Sequence, residues 1–195
     1  MLPEKLIMKS YLGKRTIDII LSLIALIFFS PTFLLIIICI FLFDRGPIFF
    51  IQKRIGRRNK IFNLIKFRSM PIGTKNITSD KLSETNITKM GVILRRTNFD
   101  ELPQLINILK GEMSIVGPRP CLLSQKELIN LRIENKSINC KPGLTGLAQI
   151  NSYDFMSIKD KAFYDYKYAN KVSLLLDISI ILKTVIYLFS PPPKY

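Results

Sequence analysis

Residues Ile17 to Phe43 form 27 almost wholly apolar positions, with one charge, Asp18, near the start. A single straight helix of that length would reach about 40 Å, more than the ~30 Å of hydrocarbon it would have to cross. Ser30 and Pro31 interrupt the run at its middle. Proline donates no backbone N–H, and its ring presses on the carbonyl four residues back, here Ile27, so a kink or break is expected. On that pair alone a kinked span is the better reading, because neighbouring groups can satisfy a freed carbonyl in lipid. The flanks reverse the preference. Lys9, Lys14 and Arg15 precede the run, and Arg45, Lys53, Arg54, Arg57 and Arg58 follow it. Basic residues favour the cytosolic side, and one crossing cannot place both sets there. Two arms of about 13 residues, roughly 20 Å each, that enter one leaflet and return would do so. Asp18, four residues after Lys14 and three after Arg15, is spaced to pair with either at the headgroup level. A cleaved leader does not fit a run this long without a small-residue site after it.

Past the run the period shortens. "PIFFIQKRIG" and "KIFNLIKF" read as two strands joined by a turn around Gly56–Lys60. Residues 71–90 are polar and turn-rich, a loop. Helical spacing returns over about 88–97, 101–110, 123–135 and 157–169, with "CKPGLTGLAQINSYD" between the last two as a Gly/Pro-punctuated loop. The final helix, about 172–189, carries Asp177 and Lys183 inside an apolar pattern. It reads as an interfacial or core helix ahead of a second span. These elements predict an α+β fold, mostly helical with a short β-hairpin. A re-entrant membrane helix–break–helix is expected over 1–43, and a membrane-associated cytosolic domain with interfacial amphipathic helices over 44–189. Residues 190–195 form a tail. No internal repeat is present.

Charge narrows the partners. Twenty-nine Lys+Arg against 14 Asp+Glu give +15, which suits phosphate-rich partners: nucleic acid, anionic headgroups or nucleotide-like substrates. Seven basic residues and no acid lie between 51 and 70, among them Lys66 and Arg68. Elsewhere such a stretch would be a solvated hairpin; directly after a membrane segment it is a candidate phosphate- or headgroup-contacting surface. Cys39, Cys121 and Cys140 are scattered, without metal or disulfide spacing. The chain has no histidine, which removes His-dependent triads, His-ligated metals and His bases. Chemistry here rests on carboxylates, Lys/Arg, hydroxyls or a hard cation.

"RRTNFDELPQLINILKGEMSIVGPRP", Arg95 to Pro120, concentrates those groups. Asp100 and Glu101, with Pro103 just after them, fit the first turn of a helix, where acids and proline are favoured in any protein. Helix starts also receive anions, and Arg95 and Arg96 stand one turn upstream. Two neighbouring carboxylates beside arginines can equally hold a Mg²⁺–phosphate assembly while one acid attacks phosphorus. Arg119 stands between Pro118 and Pro120, a rigid mount for a guanidinium that meets phosphate oxygens in pairs, or an ordinary turn with a surface arginine.

"GPIFFIQKRIG", "IFNLIKFRSM", "DELPQLINILKGEMSIVGPRP" and "KPGLTGLAQIN" occur in this order and at suitable spacing. Together they closely resemble the bacterial sugar transferases, the small monotopic phosphoglycosyl transferases, over nearly the whole chain. The resemblance implies that Ser30-Pro31 is the re-entrant helix break and that Lys14, Arg15 and Asp18 anchor it at the interface. It implies Asp100 as nucleophile, Glu101 as its acidic neighbour associated with Mg²⁺, and Arg95 and Arg119 as phosphate-binding positions. The implied reaction has two steps. Asp100 attacks the sugar-bearing phosphorus of a UDP-sugar and releases UMP; a polyprenol phosphate, undecaprenyl phosphate by expectation, then takes the phosphosugar. The implied setting is the cytoplasmic face of a bacterial inner membrane, at the first membrane step of glycoconjugate assembly. The bilayer and downstream glycosyltransferases are the implied partners, and nucleic acid is not. Two departures stand out. "SETNITKM" replaces an Asp-Pro-Arg triplet common before "ITK", and Lys141 precedes Pro142 where arginine is common. A competing reading, a membrane-anchored basic protein that binds nucleic acid or anionic lipid without catalysis, accounts for the charge. It leaves the acid pair, Arg119 and the block order unexplained.

Overall fold

A computed structural model describes residues 10–74, 87–151 and 156–188. The expectations for Lys9, for most of the 71–90 loop including "SETN", and for the 190–195 tail lie outside these residues. The apolar run forms two arms. Helix α1 (Lys14–Phe28) and helix α2 (Ser30–Cys39), which continues into a π-helical turn over Ile40–Asp44, meet at a 58° bend. The break falls at the expected pair, and Ser30 Oγ donates to the Ile27 carbonyl at 2.8 Å, the group that Pro31 displaces. No single helix among the described residues is long and apolar enough to cross a membrane; the bent pair passes by length and composition together.

The arms are packed onto the rest of the chain by their few inward-facing positions. Ile36 and Ile40 join Phe67 and Leu94 in one core, flanked by Phe99 and Leu102. Ala25 and Leu26 flank a second core of Phe62, Leu64, Leu105, Ile108 and Met113. Asp18 makes no headgroup-level pair with Lys14 or Arg15. Its Oδ1 accepts from Ser114 Oγ and the Ile115 amide, both at 3.0 Å, so the one charge within the 17–43 apolar run is buried against protein. Lys14 pairs instead with Asp177, and Arg15 donates to the carbonyls of Ile108 and Leu109. Spacing of three or four residues permits a pair; here longer-range partners that close the helix onto the core satisfied the same groups.

Strands β1 (Phe49–Ile55) and β2 (Ile61–Phe67) form the expected antiparallel hairpin, with Phe49 opposite Phe67 and Ile55 opposite Ile61. Its turn over Arg57–Asn59 puts Arg58 and Asn59 at positive φ. Strand β4 (Cys121–Leu122) adds to the other edge of β1. A second sheet pairs β3 (Ser114–Val116) with β5 (Gly143–Thr145) in parallel. That pairing corrects the reading of 140–154 as a loop, since β5 and helix α6 (Leu147–Asn151) occupy it. Three-residue strands carry too little periodicity to announce themselves, and the glycines that suggested a loop serve close packing. A Cβ on Gly143 would stand 2.1 Å from the Gly117 amide nitrogen, and one on Gly146 2.2 Å from the Gly117 carbonyl.

The remaining helices are α3 (Lys89–Arg96), α4 (Gln104–Lys110), α5 (Lys126–Glu134), α7 (Ile158–Asn170) and α8 (Leu174–Leu188). Helix α8 turns Asp177 and Ile180 into the core and leaves Leu175, Leu182 and Ile186 exposed. Asp100 and Glu101 are not in the first turn of α4. They occupy a separate 3₁₀ turn, Phe99–Glu101, entered through Asn98 at φ 57°, a left-handed conformation asparagine tolerates. Pro103 ends that turn and caps α4.

Candidate active site

Three segments distant in sequence converge on the Phe99–Glu101 turn. Strand β2 alternates Phe62 and Leu64 into the core, which turns Lys66 to the same face. Its Nζ lies 2.7 Å from Glu101 Oε1 and 3.7 Å from Asp100 Oδ2. Arg119 grips Glu101 with both terminal nitrogens, Nη2 to Oε1 at 2.6 Å and Nη1 to Oε2 at 3.3 Å. Arg95, in the last turn of α3, donates from Nε to Ser69 Oγ at 3.0 Å. Helix α3 can approach Ser69 that closely because Gly91 has no side chain; a Cβ there would sit 2.0 Å from the Ser69 carbonyl.

The two acids are adjacent yet differently held. Burial presses both toward the neutral form. For Glu101, Arg119 and Lys66 together outweigh that pressure and hold its carboxyl far below the usual range. For Asp100, burial prevails: Lys66, Arg95 and Arg119 oppose it from farther away, the Glu101 charge adds to it, and its pKa is raised. Asp100 is 6 % exposed, and among the described residues its carboxylate meets one cation, Lys66, beyond hydrogen-bond reach. An ionised Glu101 thus orders Lys66 and Arg119, while Asp100 keeps its oxygens available. Two neighbouring hard carboxylates with no soft donor suit Mg²⁺, which retains several waters and takes one or two carboxylates plus phosphate oxygens. No cluster of three or more His, Cys, Asp or Glu is found among the described residues.

Of the residues singled out by sequence, Asp100, Glu101, Lys66 and Arg119 are in contact, and Arg95 stands close enough to act on Asp100 through its charge. Arg68 lies apart from this group. It is 4 % exposed, and its Nη2 donates to the carbonyls of Asp44 and Arg45 where the hairpin ends. Ser30 and Pro31 sit at the bend, and Lys14, Arg15 and Asp18 seat the first arm. Lys141 lies beside Arg15 and Gly111; burial and the Arg15 charge lower its pKa.

Sequence reasoning overlooked a supporting ring. Asn107 is buried within α4 and closes the edge of β2, accepting from the Ile65 amide at 3.0 Å and donating to the Asn63 carbonyl at 2.7 Å. That fixes the strand immediately before Lys66. Arg54 reaches the Pro120 carbonyl at 3.1 Å and Gln52 Oε1 at 2.6 Å. Its pKa is lowered to about 10 by burial and by neighbouring Arg119. Arg132 on α5 donates to the Arg119 carbonyl at 3.0 Å and pairs with buried Asp165 on α7. Little local marks these residues: apart from Gln52, which shares β1 with Arg54, the partners named lie on other elements.

The chain matches a family model described as bacterial sugar transferase over residues 9–191. It is 34 % identical over 195 residues to an uncharacterized sugar transferase of Haemophilus influenzae, covering 91 % of this chain and 41 % of that protein. It is 36 % identical over 191 residues to the exopolysaccharide production protein ExoY of Sinorhizobium fredii, covering 89 % and 84 %. The UDP-glucose:undecaprenyl-phosphate glucose-1-phosphate transferase of Escherichia coli is 38 % identical over 181 residues, covering 88 % and 39 %. The chain therefore spans about two fifths of the Haemophilus and Escherichia proteins and most of ExoY. It belongs to the bacterial sugar transferase family.

Proposed function

We propose that this bacterial sugar transferase moves a sugar 1-phosphate from a UDP-sugar to a polyprenyl phosphate, undecaprenyl phosphate in the first instance, and releases UMP. The observation that carries this reading is the split between adjacent acids: Glu101 is clamped and ionised, and Asp100 is buried with no hydrogen bond to its carboxylate among the described residues. Names of relatives such as the E. coli glucose-1-phosphate transferase and the Salmonella typhimurium undecaprenyl-phosphate galactose phosphotransferase support the donor and acceptor classes. An ionised Asp100 oxygen attacks the phosphorus that bears the sugar, a P–O bond forms, and the bond to UMP breaks. An oxygen of the acceptor phosphate then attacks the same phosphorus, and the aspartyl oxygen leaves. Lys66 and Arg119 are placed to receive phosphate oxygens as charge shifts onto the leaving group. Mg²⁺, held by Asp100 and Glu101, would supply further neutralisation of the diphosphate.

We place this chemistry at a membrane surface, with α1 and α2 as a re-entrant hairpin. Each arm has 15 residues, roughly 22 Å of helix. A symmetric V with the observed 58° bend then reaches only about 11 Å below the plane of its ends, less than the ~15 Å of one leaflet's hydrocarbon. Ile27, Phe28, Phe41 and Phe43 are exposed on the arms, while Asp18 and Ser22 face protein. The exposed apolar face of α8 suits an interfacial placement as well. The acceptor's phosphate would then lie at headgroup level near Asp100, with its tail in lipid. The cytoplasmic face of the inner membrane and a first step of polysaccharide assembly follow from this reading.

The test is UMP release from a panel of UDP-sugars in the presence of undecaprenyl phosphate in vesicles. Release with at least one sugar, lost in Asp100→Asn, supports the proposal; undiminished release in that variant overturns the role of Asp100. For topology, Lys5→Cys and Lys60→Cys should both be labelled from the cytosolic side, and labelling from opposite sides would contradict the hairpin.

A further inference from the structure

Arg119 directly follows a backbone tie: the Gly143 amide donates to the Pro118 carbonyl at 2.9 Å. Pro118 and Pro120 flank it, and neither has an N–H to donate. The next two carbonyl oxygens, those of Arg119 and Pro120, are held by two arginines from elsewhere. Arg132 Nη1 donates to the Arg119 carbonyl at 3.0 Å, and Arg54 Nη1 donates to the Pro120 carbonyl at 3.1 Å. Each of those arginines is itself fixed. Arg54 holds Gln52 Oε1 with Nε at 2.9 Å and Nη2 at 2.6 Å. Arg132 places Nε and Nη2 on Asp165 Oδ2 at 2.8 and 2.6 Å.

The Arg132–Asp165 pair is buried on both sides, at 5 % and 2 % exposure. A buried ion pair is a poor source of stability, because desolvating two charges consumes most of the attraction. Apolar residues of similar volume would join α5 to α7 at least as well. What they could not do is leave a third nitrogen, Nη1, directed at the carbonyl of Arg119. A guanidinium has donors for both partners in one rigid plane; a lysine has one nitrogen for both.

We infer that the buried Arg132–Asp165 pair is a positioning device, which together with Arg54 fixes the backbone of Arg119 so that its guanidinium meets Glu101 and a substrate phosphate in a set orientation. Arg132 touches no substrate; it acts through Arg119. The inference rests on the transferase reading for its catalytic consequence, and on geometry alone for the restraint itself.

The two parts are tested separately. The restraint is read by ¹⁵N relaxation of the Arg119 Nε–Hε group in the full chain in detergent, with no substrate present. It should be rigid in the wild type and mobile in Arg132→Met/Asp165→Leu; unchanged rigidity overturns the inference whatever the protein catalyses. The consequence is read by a double-mutant cycle on UMP release. The paired substitution should lower kcat/KM for the donor by ~10- to 100-fold, the size expected of a misplaced binding group. In the Arg119→Ala background the same substitution should cost less than about 3-fold, because its target is gone. Equal losses in both backgrounds would make the pair a general structural element and overturn the positioning role. Should the paired variant fail to fold, Arg132→Lys serves, since it keeps the charge for Asp165. It should lose donor kcat/KM in the wild-type background and not in Arg119→Ala. An equal effect in both backgrounds would again count against the inference.

Discussion

Asp100 and Asp177 are both aspartates buried among cations, and they are used in opposite ways. Asp177 is saturated: Lys14 and the Tyr11 hydroxyl reach Oδ2, and the Tyr168 hydroxyl reaches Oδ1 at 2.9 Å while at hydrogen-bond distance of the Val116 carbonyl. Those contacts tie the start of α1 to α7, α8 and β3. Among the described residues the one cation that Asp100 meets is Lys66, at 3.7 Å, while Glu101 holds both Lys66 and Arg119. Burial costs both carboxylates their water; one is compensated and the other is not. The compensated acid is a structural tie. The uncompensated acid retains oxygens with which to react, and its raised pKa is the sign of that deficit.

The largest effect should come from removing the compensated acid. Asp177→Ala leaves the Lys14 ammonium buried without its partner, and should lower unfolding stability by about 3–5 kcal/mol in chemical denaturation. If stability hardly changes, the contrast between the two sites fails. Next, Glu101→Gln removes the charge that sequesters Lys66 and Arg119. UMP release should fall by ~10²-fold, equivalent to about 2.7 kcal/mol of barrier. The acid limb of its residual pH–rate profile should move to lower pH, because one like charge beside Asp100 is gone and Lys66 is freed to approach it.

In the wild type Asp100 reacts ionised, and its pKa is raised, so kcat/KM should drop as pH falls through a midpoint above the ordinary Asp value of ~3.9. Glu101, held low, stays ionised through that range. A midpoint at or below the ordinary value would mean that Asp100 is better compensated than its contacts indicate. The smallest effect should be on the stability of Asp100→Asn. With no hydrogen-bonded partner to lose among the described residues, that variant should unfold within about 1 kcal/mol of the wild type, in contrast to Asp177→Ala.

The same contrast explains what could be read from the sequence. Asp100 and Glu101 are neighbours, so the acid pair was visible as soon as "DELP" was, and the proline-mounted Arg119 lies only 18 residues on. The break at Ser30-Pro31 and the β1–β2 hairpin were also legible, because proline, turn residues and alternation act locally. The partners of Asp18 escape detection for the same reason: its nearest cations in sequence are Lys14 and Arg15, but its carboxylate meets Ser114 and Ile115. The seat of Asp177 spans 163 residues to Lys14, and Arg132 finds Asp165 across 33. Pairings that tertiary packing creates leave no spacing to detect. The parallel β3–β5 pair was hidden because its strands are too short for a period.

The covalent role of Asp100 is most directly tested by intact-mass spectrometry of the purified protein mixed with its UDP-sugar and Mg²⁺ in the absence of polyprenyl phosphate. The wild type should gain the mass of one phosphosugar with stoichiometric UMP, the adduct should map to Asp100, and undecaprenyl phosphate should discharge it. Asp100→Asn should gain nothing. Turnover by the wild type with no adduct under any single-turnover condition, or an adduct that persists in Asp100→Asn, would contradict it.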